Sequence, residues 1–151
     1  MAETPAQLAR RWFQQVWNER NENVLVELMH PECQGRTESG PMVGRDVWTR
    51  RVYRPFLAAF PDLVIDIAGV VGEDDEAVVR WRVRGTHRGG ALGIPATGLQ
   101  ISFGGMTWMR IRNGQIVEGE DRWNRDALED CLTTGLANLS VGILGHDDRG
   151  D

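Results

Sequence analysis

The chain has 151 residues, of which 41% are hydrophobic and 26% are charged, and its formal net charge is −5 at pH 7. This length and composition are typical of one globular domain with a buried core, and the acidic balance argues against a nucleic-acid surface. No apolar run approaches the roughly 20 residues of a membrane span, and the N-terminus lacks the layout of a secretion signal, so we expect a cytoplasmic protein without membrane contact. All 17 basic residues are arginines, which excludes Schiff-base and P-loop lysines.

The cysteines and histidines do not predict a metal site. Cys33 and Cys131 lie far apart in the sequence and lack the spacing of metal ligands, which favours two structural thiols. His30, His87 and His146 form neither an HxH nor an HExxH pattern. We therefore expect no structural metal.

Helical signals dominate the first sixty residues. Thr4 can cap a helix with Pro5 at its first position, and apolar spacing predicts that this helix continues to about Asn21. Its apolar stripe consists of Leu8, Trp12, Phe13, Val16 and Trp17. A second short helix is expected over 24–29 and a third over 45–60, where Pro55 predicts a kink near residues 51–54.

Strand patterns dominate the rest of the chain. A short strand is expected over 32–38, and alternating apolar and polar residues predict longer ones over 64–71, 77–84, 99–111 and 116–123. A short helix over 126–132 follows them. Helices followed by antiparallel strands predict an α+β fold in which the helices cover one face of a curved sheet and leave a conical cavity.

Residues 85–98 predict a loop at the rim of the sheet, because the segment contains five glycines and one proline. His87 stands near its start, at the end of a strand that carries Trp81. Two interpretations stay open from spacing alone. The loop is either a pocket mouth that presents the imidazole to a ligand, or an ordinary connection with one solvated imidazole.

Two strands carry polar residues whose orientation decides the chemistry. On the last strand Glu120 lies on one face and Asp121 on the other. A carboxylate buried in an apolar cone would have a raised pKa suited to acid–base work, whereas an exposed edge strand would carry only solvated charge. Gln34 and Arg36 share one face of the first strand, and they are either solvated or line a cavity.

A series of motifs runs in the order seen in one known family. The motifs are Phe60-Pro61-Asp62-Leu63, Arg80-Trp81, Gly85-Thr86-His87, Gly93-x-Pro95-x-Thr97-Gly98, Arg110 and Asn113-Gly114-x-Ile116-Val117-Glu118-Gly119. Over about residues 5–135 the chain resembles the SnoaL-like polyketide cyclases, which have the nuclear transport factor 2-like fold. The resemblance implies a cone-shaped curved antiparallel sheet wrapped on N-terminal helices, a cofactor-free pocket for a hydrophobic small molecule, and a homodimer through the sheet's outer face. We accordingly expect one domain over 1–135 and a loosely docked or disordered tail over 136–151.

The resemblance also suggests how a reaction would be divided among side chains. Family members close an aldol ring on a polyketide ester with an acidic residue on the last strand, and Asn124 stands where that residue is expected. We hypothesise that Glu120 takes over the acid/base role, that His87 polarises a carbonyl and that Asn124 holds the enolate oxygen. Asp121 is the second candidate for the acid/base role if the register differs by one residue.

The candidate substrate-binding residues are Trp12, Gln34, Arg36, Trp81 and Trp108. Three functions remain open on this scaffold: cofactor-independent cyclisation or isomerisation, small-molecule binding without catalysis, and hydrolysis or dehydration. Epoxide hydrolysis through an Arg–Asp pair is not favoured, because the segment Arg80-Trp81-Arg82 supplies no aspartate.

Overall fold

The computed structural model describes residues 3–90, 93–134 and the two-residue strand at 140–141. The tail predicted over 136–151 therefore lies outside the described residues, apart from that strand. Within the described part, no helix is long and apolar enough to cross a membrane.

Helices form the first layer of an α+β fold. They are α1 (Pro5–Arg11) with a π-helical continuation (Trp12–Asn18), α2 (Glu22–Leu28), α3 (Arg45–Trp48) with a π-helical continuation (Thr49–Tyr53), α4 (Arg54–Ala59) and the later α5 (Arg125–Thr134). Thr4 caps α1 in a reciprocal pair with Gln7, as its hydroxyl accepts from the Gln7 backbone while Gln7 accepts from the Thr4 backbone. Where the sequence predicted a kink, near residues 51–54, the bonding changes from π-helical to α-helical, and Pro55 lies in the first turn of α4, where its missing N–H is tolerated.

The first helix ends earlier than the sequence pattern predicted. The π-helical segment stops at Asn18, and Arg20 then adopts a left-handed conformation with φ 56°. Asn18 fixes this end to the sheet, since its side chain exchanges two 2.8 Å hydrogen bonds with the backbone of Ile65. The helical aromatic residues are thereby held over one face of the sheet.

A curved sheet forms the second layer. Its strands are β1 (Met29–Thr37), β2 (Gly40–Val43), β3 (Val64–Glu73), β4 (Glu76–Thr86), β5 (Gln100–Arg112), β6 (Gln115–Arg122) and β7 (Ser140–Val141). Their order is β2-β1-β6-β5-β4-β3, and β7 pairs with β5. The predicted antiparallel run from β3 to β6 is confirmed.

Three details of the sheet correct the sequence prediction. The sheet is mixed, because β1 runs parallel to β6, as β7 does to β5. The sequence patterns predicted no strand over Gly40–Val43, whereas these residues form β2, where Pro41 is tolerated because the strand lies at an edge of the sheet. A register shift between Arg110 and Ile111 places Ile116 in the core, on the opposite face from that of Glu120.

Candidate functional site

An apolar cavity of about 70 Å³ lies between the helices and the concave face of the sheet. The helical side contributes Trp12 and Trp17 from the first π-helical segment and Trp48 from α3, and the sheet contributes Trp81. Trp48 holds the helical group together, since its ring centroid lies 5.4 Å from that of Trp12 and 5.8 Å from that of Trp17. Large aromatic side chains of this kind enclose apolar ligands at low entropic cost.

Asp121 is the one ionisable side chain that lines this cavity among the described residues. It projects inward from β6, on the same face as Gly119 and Trp123. Its Oδ1 accepts a 2.7 Å hydrogen bond from the hydroxyl of Thr107 on β5, and Thr107 in turn accepts a 2.9 Å bond from the indole N–H of Trp81. A carboxylate, a hydroxyl and an indole from three adjacent strands thus form one hydrogen-bonded chain.

The pKa of Asp121 is raised to about 6. Burial is the main cause, because it penalises the charged form, and the negative charges of Glu38 and Glu120 act in the same direction. The hydrogen bond from Thr107 opposes the rise, because it stabilises the carboxylate. A carboxyl group with this pKa can both accept and return a proton near neutral pH.

A vestibule of about 200 Å³ leads from the surface to Asp121. It shares Val52, Phe56, Asp121 and Trp123 with the apolar cavity, so the two spaces meet at the carboxylate. Its outer rim carries charged residues, namely Glu38, Arg51, Arg125 and Glu129. The rim is polar and the interior apolar, which suits a ligand that is mostly hydrophobic.

The structure does not bring His87 into either space. His87 is completely buried, and its ring lies 5.5 Å from that of Phe60. Its Nδ1 accepts a 3.2 Å hydrogen bond from the Thr97 backbone and lies 3.0 Å from the Thr97 hydroxyl, so the imidazole fixes the end of the 85–98 loop. Burial lowers the pKa of His87 from 6.5, which favours the neutral ring. Neither interpretation offered by the sequence matches this arrangement, since the imidazole is neither solvated nor in the pocket.

Glu120 lies on the face of β6 opposite to Asp121 and pairs with the guanidinium of Arg122. It borders a smaller space of about 50 Å³ that is also lined by Trp12, Trp48 and Asp121, but it does not line the apolar cavity of about 70 Å³. Asn124 follows the strand and caps α5, because its Oδ1 accepts a 2.9 Å bond from the Ala127 backbone. The structure therefore separates Glu120, His87 and Asn124, which the sequence hypothesis combined in one site.

The five candidate binding residues divide between the two faces of the sheet layer. Trp12 and Trp81 line the apolar cavity. Gln34 and Arg36 are exposed on β1, with Arg36 also at the border of the smaller space. Trp108 is half-buried on the outer face, where its N–H donates to Glu76 over 2.6 Å and the Arg110 guanidinium lies over its ring.

Sequence reasoning missed Thr107 and Trp48. Thr107 follows the alternation of β5, where it lies between the inward residues Phe103 and Met109. A hydroxyl at an inward position of an otherwise apolar strand is the signal that could have identified it. Trp48 stands four residues before Val52 and eight before Phe56, which line the same cavity, so this helical spacing of apolar residues is the signal that could have identified it.

No group of three or more histidine, cysteine, aspartate or glutamate side chains within the described ranges could hold a metal ion. Cys33 and Cys131 are both buried as thiols. The pKa of Cys33 is raised to about 12, chiefly by burial, so this thiol is protonated and unreactive at neutral pH.

Comparison with known families decides the classification of the chain. The model of the SnoaL-like polyketide cyclase family matches residues 7–131. The chain belongs to this family. The match includes the aromatic helices, all strands around the cavity and Asp121, so the family assignment covers every residue that lines the apolar cavity.

Solved structures share the SnoaL-like fold. A candidate SnoaL-like polyketide cyclase from Jannaschia sp. CCS1 aligns with a TM-score of 0.78 at 21% identity, covering 88% of this chain and 97% of that chain. TsrD from Streptomyces laurentii aligns with a TM-score of 0.72 at 27% identity, covering 83% and 92%. The candidate hydroxylase AclR from Streptomyces galilaeus aligns with a TM-score of 0.73 at 24% identity, covering 84% and 79%. No curated protein matches the chain.

Proposed function

We propose that this SnoaL-like protein catalyses cofactor-independent proton transfer next to a carbonyl of a hydrophobic small molecule, with Asp121 as the acid/base. The observation that carries the proposal is the placement of one carboxylate where an apolar cavity meets an open vestibule. Membership of the SnoaL-like polyketide cyclase family supports an aldol-type cyclisation as the overall reaction.

The proposed reaction needs only two proton transfers. At pH 7 a group with a pKa of about 6 is mostly ionised, so Asp121 starts as the base. It takes a proton from the carbon next to a carbonyl, and the electron pair of that C–H bond forms an enolate. The enolate carbon attacks a second carbonyl of the same molecule, a C–C bond forms, and Asp121 returns the proton to the new alkoxide oxygen.

The tryptophans supply donors for the oxygen that becomes negative. The indole N–H groups of Trp12, Trp17 and Trp48 have no hydrogen-bond partner among the described residues, although all three rings line the cavity. None of these three indole nitrogens is completely buried in the described part of the chain, so each can be reached from the cavity. A substrate oxygen inside the cavity can therefore accept from an indole N–H without displacing an existing hydrogen bond.

The sizes of the two spaces restrict how a substrate binds. An apolar cavity of about 150 Å³ accommodates benzene, so the 70 Å³ of the deep cavity admits only a small substituent unless the aromatic walls move. The vestibule offers about 200 Å³ and apolar walls from Phe56, Trp123, Leu128 and Leu132. The bulk of the substrate is therefore assigned to the vestibule, with the reacting carbon at Asp121.

The test compares two carboxylates on the same strand. Asp121→Asn removes the proposed base and keeps the size of the side chain, whereas Glu120→Gln changes the opposite face of β6. With a panel of aromatic polyketide esters, Asp121→Asn is expected to reduce turnover at least a hundredfold while binding is retained. Glu120→Gln is expected to change turnover only slightly, because Glu120 acts on Asp121 only through its charge, the smallest contribution to the raised pKa of Asp121. Unchanged turnover in Asp121→Asn would contradict the proposal.

A second candidate function is ligand binding without catalysis. It is favoured by one observation, namely that His87 and Asn124 both make structural hydrogen bonds away from the cavity, so among the described residues Asp121 has no polar side-chain partner other than Thr107. The same panel distinguishes the two functions. Tight binding with no turnover by the wild-type protein for any ester would support the binding function.

We also propose a homodimer through the outer face of the sheet. Val71 pairs with Val78, and Val78 pairs with Trp108, so an apolar row crosses three strands, with exposed Met106 beside it. Analytical ultracentrifugation is expected to show a dimer that Met106→Asp converts to a monomer. Val26→Asp, at an exposed apolar position on α2, is the control and should remain dimeric. A monomeric wild-type protein would exclude this assembly.

A further inference from the structure

The hydrogen-bonded chain behind Asp121 has a fixed direction. An indole N–H can donate but cannot accept, so the oxygen of Thr107 must use one lone pair for the 2.9 Å bond from Trp81. The hydroxyl proton of Thr107 then points to its nearest acceptor, Oδ1 of Asp121, at 2.7 Å. No other hydrogen bond involves the Thr107 hydroxyl among the described residues.

The two oxygens of Asp121 are therefore unequal. Oδ1 accepts the hydrogen bond from the Thr107 hydroxyl. Oδ2 has no hydrogen-bond partner within the described part of the chain, and it is not completely buried, so a ligand in the adjoining cavity can reach it. A proton on Oδ1 would face the proton of Thr107, and turning that hydroxyl away would leave it unpaired in apolar surroundings. A proton on Oδ2 disturbs neither bond.

We propose that two hydrogen bonds, from Trp81 to Thr107 and from Thr107 to Oδ1 of Asp121, leave Oδ2 as the oxygen that exchanges a proton with the substrate. We call these two hydrogen bonds the relay, and no proton passes along them. This inference rests on the proposed function, because it states which atom of the proposed base reacts. In the first step Oδ2 accepts the substrate proton, and in the second the same oxygen returns it to the alkoxide. Thr107 and Trp81 are positioning residues, since neither exchanges a proton with the substrate.

The relay predicts an ordered series of effects on the titration of Asp121. Thr107→Val has almost the same shape but removes the hydroxyl, so the carboxylate loses its donor and the titration midpoint should rise by about one pH unit. Trp81→Phe leaves the hydroxyl in place but frees it to rotate, so a smaller rise is expected. Thr107→Ser restores the hydroxyl and should return the midpoint towards the wild-type value.

The measurement is an infrared pH titration of the carboxyl band that disappears in Asp121→Asn, carried out on the full chain without a ligand. Trp108→Phe is the matched control, because Trp108 also donates its N–H to a side chain but on the outer face. An unchanged or lower midpoint in Thr107→Val, or an equal shift in Trp108→Phe, would overturn the relay.

A second measurement needs no substitution. The indole N–H proton of Trp81 in the wild-type protein is expected to change its NMR frequency with the same pH midpoint as the Asp121 band, because the two groups share Thr107. A Trp81 signal that does not respond to pH would also overturn the relay. Both measurements are independent of turnover, so absence of catalysis in the ester panel would refute the proposed function without altering these results.

Discussion

Trp81 on β4 pairs with Gly105 on β5, and its indole ring occupies the space that a side chain at position 105 would need. A Cβ at Gly105 would lie 2.4 Å from Cη2 of the indole and 2.8 Å from the carbonyl oxygen of Arg122. Because the backbone and the ring confine this position from two sides, the absence of a side chain at Gly105 is what allows the indole to lie over β5. The same placement brings the Trp81 N–H to Thr107.

Gly105→Ala is therefore expected to displace Trp81 and to reduce the free energy of unfolding by about 1–3 kcal/mol through overpacking. Urea denaturation at pH 7 provides the measurement. Gly69→Ala on β3 is the control, since a Cβ there would meet no atom within 4 Å, and it should change stability only slightly. Equal stability of the two variants would show that the indole can move without cost.

A second prediction concerns pH and Asp121. Burial raises the pKa of Asp121 to about 6 in the folded protein, compared with 3.8 for an unperturbed aspartate. The folded state thus binds this proton more tightly than the unfolded chain, so the contribution to stability is present below pH 3.8 and is lost as the pH rises through 6. Asp121→Asn removes this dependence.

Asp121→Asn should therefore stabilise the protein more at pH 8 than at pH 4, by a difference of about 2 kcal/mol in the free energy of unfolding. The experiment consists of denaturation curves for both proteins at the two pH values. Asp66→Asn serves as the control, because the Asp66 carboxylate is largely exposed beside Arg84. A larger gain at pH 4 than at pH 8 would mean that the folded protein favours the charged form.

The alternation of residues along β6 indicated which carboxylate faces the cavity better than the alignment with the family's motif did. Alternation on β6 places Asp121 with Gly119 and Trp123 on one face, and Glu120 with Arg122 on the other. The first face is the less charged, and it is the one that meets the cavity. Alignment with the family's motif instead favoured Glu120, because Asn124 stands at the position expected for the acid.

Local sequence patterns could not predict which strands distant in the sequence pair with each other. The parallel contact of β1 with β6 joins residues such as Gln34 and Glu118, which are far apart in the chain, and no turn or repeat indicates it. The structural role of His87 could not be predicted either, because it depends on tertiary contacts. Its burial depends on the packing of Phe60 and on a hydrogen bond to Thr97, ten residues further along the loop.

His87 gives a third prediction, since its pKa is lowered by burial. The unfolded chain takes up a proton on this ring more readily than the folded one, so the contribution to stability is present above pH 6.5 and decreases as the pH falls further. A protonated Nδ1 cannot accept from the Thr97 backbone N–H. Hydrogen exchange at Thr97, corrected for intrinsic rates, should therefore become faster in acid.

His87→Asn tests this explanation, because an amide oxygen can replace Nδ1 as an acceptor that does not titrate. The variant should keep protection at Thr97 and lose its dependence on pH. His30→Asn provides the control, since His30 accepts a comparable 3.0 Å bond from the Glu32 backbone in a different part of the fold. If His30→Asn removed the pH dependence at Thr97 instead, the loop would not be governed by His87.

The last prediction separates the structural role of Asn124 from the catalytic role suggested by the sequence. As the cap of α5, Asn124 accepts from the Ala127 backbone, and Asn124→Ala should reduce the free energy of unfolding by about 1 kcal/mol. Asn124→Asp keeps an acceptor at the helix N-terminus and should retain full stability, since a negative charge is favourable there. Urea denaturation measures both effects, and turnover of the ester panel provides the contrast. An enolate-binding residue would lose activity in Asn124→Asp because a carboxylate repels the enolate, whereas a cap leaves the turnover of Asn124→Asp equal to that of the wild-type protein.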